Sequence, residues 1–132
     1  MFGATVTKVM TAADGGSVTV WGDGGEGRDL IHVPDLVAFV RLAIDGQETP
    51  FEIYNVGCGR AYPVKEVARR IIVASGKDLD IRFDDSRPSV KSTLFLDCSK
   101  AKRDLGWEAV VNLDEGIAMT LEWWRKNEAS RN

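Results

Sequence analysis

The sequence predicts an α/β fold, built as a small lobe in which short strands alternate with helices. Three observations carry this. Apolar residues recur at helical spacing in several stretches, among them residues 4–13, 34–44 and 63–75. Short β-rich runs stand between them, "SVTVW", "FEIYNV" and "LDIRF". Glycine-rich turns, "DGG", "GDGGEG" and "GCG", punctuate the chain.

Taken in order, Val6, Val9, Met10 and Ala13 share one side of a first helix, which "DGG" at 14–16 stops. A short strand is expected from Val18 to Trp21, and "DLIHV" reads as a second one after the glycine loop. Pro34 and Asp35 open a helix whose inner face is Leu36, Val37, Val40 and Ala43 with Ile44. "FEIYNV" is expected as a strand from about Glu52 to Val56, closed by "GCG". Pro63 starts a strong helix with Val64, Val67, Ala68, Ile71 and Ile72 apolar and Gly76 placed to cap it. "LDIRF" is a strand, and "STLFLD" a shorter extended segment leading to a brief helix that ends near Leu105 and Gly106. Asn112, with Glu115 three residues on, resembles a capping box, and Ile117, Leu121 and Trp124 line the helix behind it. The expected organisation is one lobe over residues 1–127 and a frayed tail over 128–132.

The bulk properties exclude several classes. The chain has 132 residues, 44% of them apolar and 28% charged, which is ordinary for one soluble domain. Its formal charge is −3, with 17 basic and 20 acidic residues mixed along the chain, so no nucleic-acid footprint is present. No apolar run is long enough to span a bilayer and no signal-peptide pattern is seen, so no membrane partner is expected and the expected setting is cytoplasmic. Cys58 and Cys98 form no metal-ligand cluster with the single His32. Their spacing leaves a disulfide open, and the reading taken is two buried free thiols in a reducing compartment.

Catalytic patterns are missing. "NVGCGRAY" lies between a strand and a helix, but its third fingerprint glycine is absent, and a strand-to-helix turn is the better reading. His32 stands in an apolar strand, and no serine occupies a nucleophile elbow. A Tyr-x-x-x-Lys pair also fails: Tyr54 leads to Cys58, and Tyr62 to Glu66 with Lys65 one residue early. Two arginines remain. Arg28 follows "WGDGGEG", where four glycines stand within residues 22–27, and Arg87 precedes Pro88 in the turn "DDSRPSV". Arginines on loops at strand ends can clamp a diphosphate through charge-assisted hydrogen bonds. The plain alternative is surface pairing with Asp29, Asp84 or Asp85. For Trp21 the plain alternative is a hydrophobic plug; Trp107, Trp123 and Trp124 read as packing residues.

The order of the pieces says more than any one of them. "VTVWGDG", "RDLIHVPDL", "YNVGCG", "SRPSVKSTLFLDCSKAKRDLGW" and "LDEGIAMTLEWW" resemble, in register, the C-terminal half of extended short-chain dehydrogenase/reductases. These are NAD-dependent nucleotide-sugar epimerases, dehydratases and reductases, and the look is nearest to the GDP-fucose synthase branch. The resemblance implies a substrate-binding lobe that lacks the N-terminal Rossmann domain, and with it the glycine fingerprint and the Tyr-x-x-x-Lys pair. No catalytic residue is therefore expected here. No cofactor would be bound by this chain alone; NAD(P) is implied for the complete enzyme. The implied ligand is a nucleoside-diphosphate sugar. Trp21 and Arg28 match substrate contacts, Arg28 reaching the phosphates, while Arg87 and Ser89 would face the nucleoside. Ser89 replaces an acidic contact of the family, and Val90 stands near a missing glycine. Separation from the other half would expose a strand edge and an apolar patch, so a homodimer or an exchange of segments is expected.

Overall fold

The computed structural model describes residues 1–86 and 91–128. Ten elements follow one another: α1 (Phe2–Thr11), β1 (Ser17–Trp21), β2 (Gly27–Arg28), α2 (Val33–Gly46), β3 (Tyr62–Pro63), α3 (Val64–Ser75), β4 (Asp80–Asp84), β5 (Thr93–Leu94), α4 (Ser99–Leu105) and α5 (Leu113–Glu128). The class is α/β, as the alternation of patterns predicts. The described residues gather into two compact units. One is drawn from Met1–Glu26, Pro63–Ser92 and Asp114–Asn132, the other from Gly27–Tyr62 and Thr93–Leu113.

The first unit is organised by burial. β1 and β4 pair in parallel from Ser17 opposite Asp80 to Trp21 opposite Asp84. Because side chains alternate across a strand, Val18 and Val20 turn inward while Ser17, Thr19 and Trp21 turn out. Val20 packs with Val64 and Ala68 of α3, and Ile81 of β4 lies against that cluster. The apolar positions of α3 are all buried, and Gly76 ends the helix in the left-handed conformation at φ 77°. In α5, Ile117 and Leu121 are buried one turn apart. Trp123 departs from the packing role expected of it: 62% of it is exposed, on the other side of the helix from Ile117 and Leu121. Lys77 ties α1 down from outside, its ammonium donating to the carbonyls of Val9, Met10 and Ala12 at 3.1, 2.6 and 2.6 Å.

The second unit has thin β-structure. β2 lies between β3 and β5 and runs parallel to β5, with Gly27 opposite Thr93 and Arg28 opposite Leu94. The strand expected in "DLIHV" is absent: the two-residue β2 ends before it, residues 29–32 carry no regular structure, and His32, expected in a strand, stands at the N-cap of α2, which starts at Val33. The strand expected at Glu52–Val56 is absent: residues 51–56 carry no regular structure, and Phe51 and Ile53 are exposed. A strand needs a hydrogen-bonded neighbour, and neither sheet among the described residues includes this segment.

α2 forms where its opening proline places it, but its expected inner face is not inside. Leu36, Val37, Val40 and Ile44 are exposed, and Asp35 is the buried residue of the helix. Periodicity selects the helix; burial needs a second apolar surface, and this unit lays none over that stripe. Phe39 is half-buried and meets Tyr54 and Trp107 edge-on, with ring centroids 5.7 and 5.4 Å away.

Candidate functional site

The glycine loop begins where β1 ends. Gly22 donates to the Asp84 carbonyl at 2.9 Å, and the Asp23 carboxylate accepts from the Gly25 amide at 2.8 Å. Gly24 has φ 66°, and a Cβ there would stand 2.8 Å from the Phe83 ring and 2.9 Å from Cβ of Lys65. Its carbonyl accepts from the Lys65 amide at 2.9 Å. Gly24 therefore serves close packing of the loop on β4 and the start of α3.

Trp21 stands at the end of β1, 54% exposed, so the hydrophobic-plug alternative does not describe it. It belongs to the first unit. Arg28 lies in β2 of the second unit, half-buried, with Nη1 donating to the Gly27 carbonyl at 2.8 Å. Arg87 and Ser89 fall outside the described residues.

The residue beside Arg28 organises the second unit more than the sequence suggests. Asp29 Oδ1 accepts from the Cys58 amide at 2.7 Å, and Oδ2 from the amides of Gly59 and Leu96 at 3.2 and 3.1 Å. One carboxylate thus joins β2, the "GCG" turn and the segment after β5. Gly57 permits the approach, since a Cβ there would lie 2.5 Å from Oδ2. Asp35 makes a second tie: its carboxylate accepts from the Val111 amide at 3.0 Å, and its carbonyl from the Trp107 indole at 3.1 Å. The sequence pattern offers Asp29 only as a surface partner for arginine. Its neighbourhood carries no local signal for this, because the amides it satisfies lie 29 to 67 residues away.

Charge is also clustered in this unit around Lys100. Lys100 pairs with Glu52 at 2.6 Å and Asp104 at 3.2 Å, and its ammonium sits 3.9 Å from the centre of the Tyr54 ring. The Lys100 hydrogen bond holds both carboxyls below their ordinary range, and the hydrogen bond to Glu52 in turn raises Lys100. Cys58 and Cys98 are free and half-buried rather than fully buried, and burial pushes both thiols up, with the Asp29 carboxylate next in effect at Cys58. Among the described residues no group of three or more histidine, cysteine or acidic side chains is placed to hold a metal ion.

Residues 2–120 match the family model described as GDP-mannose 4,6 dehydratase. The chain belongs to this family, the extended short-chain dehydrogenase/reductases. It is 40% identical over 107 residues to the UDP-glucose 4-epimerase of Bacillus subtilis (strain 168), a match covering 80% of this chain and 32% of that one. It is 32% identical over 119 residues to a probable GDP-L-fucose synthase of Oryza sativa subsp. japonica, covering 90% and 36%. The crystal structure of the UDP-glucose 4-epimerase from Bifidobacterium longum, in complex with NAD+ and UDP, superposes with a TM-score of 0.80 at 30% identity, covering 94% of this chain and 38% of that one. This family chain therefore spans about a third of the length of the curated relatives it matches.

The family implies a nicotinamide cofactor, and the turn that could be compared with a dinucleotide loop does not fit one. The backbone amides of Cys58 and Gly59, which would have to face a pyrophosphate, already donate to the Asp29 carboxylate. A second anion at that place would meet a carboxylate instead of open donors. No helix among the described residues is long and apolar enough to cross a membrane.

Proposed function

We propose that this chain is the substrate-binding part of a nucleotide-sugar epimerase or reductase, binding a nucleoside-diphosphate sugar without turning it over alone. The observation that carries the reading is the family match across residues 2–120, within which Trp21 and Arg28 flank the glycine loop. Arg28 anchors the diphosphate through its guanidinium fork, and the exposed indole of Trp21 covers an apolar face of the ligand. Arg87 and Ser89 face the nucleoside. No residue of the chain acts as general acid or base, and NAD(P) is bound by the remainder of a complete family enzyme.

A second reading has its own support. The apolar stripe of Leu36, Val37, Val40 and Ile44, with Phe51 and Ile53, is the surface that a self-associating module would bury in a homodimer or by exchanging segments.

Calorimetric titration with GDP, UDP, dTDP and their sugars, beside an Arg28→Ala variant and with light scattering on both, separates the two. The expected result is saturable binding of one nucleotide class, weakened about tenfold to a hundredfold in the variant. A folded wild-type chain that gives no heat with any of them overturns the ligand-site reading. A dimer by scattering in that case leaves the self-associating module.

A further inference from the structure

We infer that Cys58 and Cys98 are a reversible dithiol–disulfide pair, a modification site that closes by exchange with a low-molecular-weight disulfide such as oxidised glutathione. Both residues belong to the second unit and line one cavity of about 530 Å³, whose wall includes Gly57–Gly59 and Phe95–Ser99.

The geometry brings the two sulfurs to one place. Cys98 Sγ lies 3.5 Å from the carbonyl oxygen of Gly57, the residue bonded to Cys58. Adding the roughly 3.8 Å span of one peptide unit places that sulfur within roughly 7 Å of Cα of Cys58. Bridged cysteines have Cα atoms roughly 4.4 to 6.8 Å apart, so closure takes rotation of both side chains together with a movement of the "GCG" turn toward the segment before α4. The backbones are held in this relation by Asp29, which binds the amide of Cys58 and the amide of Leu96, two residues before Cys98, and by Asn55, whose side-chain amide donates to the Asp97 carbonyl at 3.1 Å. The Cys58 thiol also lies against the Asp29 carboxylate, a contact that the closing bond displaces. Cys58 Sγ contacts the Arg60 carbonyl at 3.3 Å, and Cys98 Sγ also contacts the Leu96 carbonyl at 3.7 Å. Sulfur donors at these distances are weak.

The exchange balances. The thiolate of one cysteine attacks a sulfur of the small disulfide; that S–S bond breaks and one reduced small thiol leaves. The thiolate of the other cysteine then attacks the protein-side sulfur of the mixed disulfide, forming the Cys58–Cys98 bond and releasing the second small thiol. Two electrons and two protons pass from the cysteine pair to the two small thiols. The half-buried position and the neighbouring carboxylate keep both groups mainly as thiols at neutral pH, which slows the first attack and leaves the endpoint unchanged. The product staples the "GCG" turn to the segment before α4 across the cavity.

The test equilibrates the purified chain in buffers of reduced and oxidised glutathione, alkylates the remaining thiols, and reads intact mass and a peptide map. The native chain is expected to lose two hydrogens, to carry a Cys58–Cys98 cross-linked peptide and no adduct, and to close at a buffer at least about tenfold more reducing than the same chain in guanidinium. Cys58→Ser and Cys98→Ser are each expected to stop at one glutathione adduct. Glutathione on each cysteine of the wild type, a bond between two chains, or native thiols that stay open where the unfolded chain closes would each overturn the assignment. The wild-type map decides the matter even if a serine variant fails to fold.

Discussion

The two units of this chain are held together by different physics. In the first, Val9, Val18, Val67, Ile71, Ile117 and Leu121 are almost wholly buried, and polar ties such as Lys77 on the end of α1 only trim the helix termini. The second buries few apolar side chains, notably Ala101 and Trp107, and its α2 stripe is exposed. Its segments are joined instead by the carboxylates of Asp29 and Asp35 and by the Lys100 cluster. Hydrophobic burial is nondirectional and tolerates changes of similar volume; carboxylate-to-amide ties are directional and fail when one group is removed. The second unit should accordingly be the one whose order depends on single polar residues.

That contrast is broken most strongly in the first unit. Ile71→Ala removes a fully buried side chain at the centre of α3 and is expected to cost about 3 kcal/mol, read as a lowered urea midpoint. A loss well under 1 kcal/mol would show that this core is loosely packed and that the contrast is smaller than the burial suggests.

Next comes Asp29→Ala, which deletes three hydrogen bonds from backbone amides in one step and is expected to cost about 2 kcal/mol. Hydrogen exchange sharpens the point. The amides of Cys58, Gly59 and Leu96 should lose protection, while those inside α3 keep theirs. Unchanged exchange at these three positions would remove Asp29 from the account of the second unit.

The smallest effect belongs to the exposed Lys100 cluster. Glu52 and Asp104 are held low, so their share of stability is full above the ordinary carboxyl range and is lost as pH falls through their depressed folded values. Lys100 is raised, and its share is lost only as pH climbs through its folded value. Lys100→Gln should therefore lower the neutral midpoint slightly and flatten the acid limb of a stability profile taken between about pH 3 and pH 6, the two chains converging at the acid end. An acid limb identical to wild type would mark these pairs as solvated contacts without net effect.

Legibility in the sequence follows the range of the interactions. α3 was readable because its apolar positions and its Gly76 cap lie within a few turns of each other. β1 was readable for the same reason, through the alternation that puts Val18 and Val20 inside and Trp21 outside. "FEIYNV" has the same local character as a strand yet forms none, since pairing requires a neighbour that composition cannot supply. The site divides similarly. Trp21 and Arg28 came from family resemblance and a glycine-rich loop, whereas the ties of Asp29 and Asp35 connect residues up to 76 positions apart.

By itself, then, the sequence determined the α/β class, the helices with their stops, the family, and the lack of a Tyr-x-x-x-Lys pair, because each is written in neighbouring residues or in their linear order. Only the tertiary structure decided that the α2 stripe is exposed, that the glycine loop packs against Phe83 and Lys65, and that one aspartate gathers the surroundings of both cysteines. Burial and hydrogen-bond partnership are properties of pairs of distant segments, and a linear pattern specifies only one member of each pair.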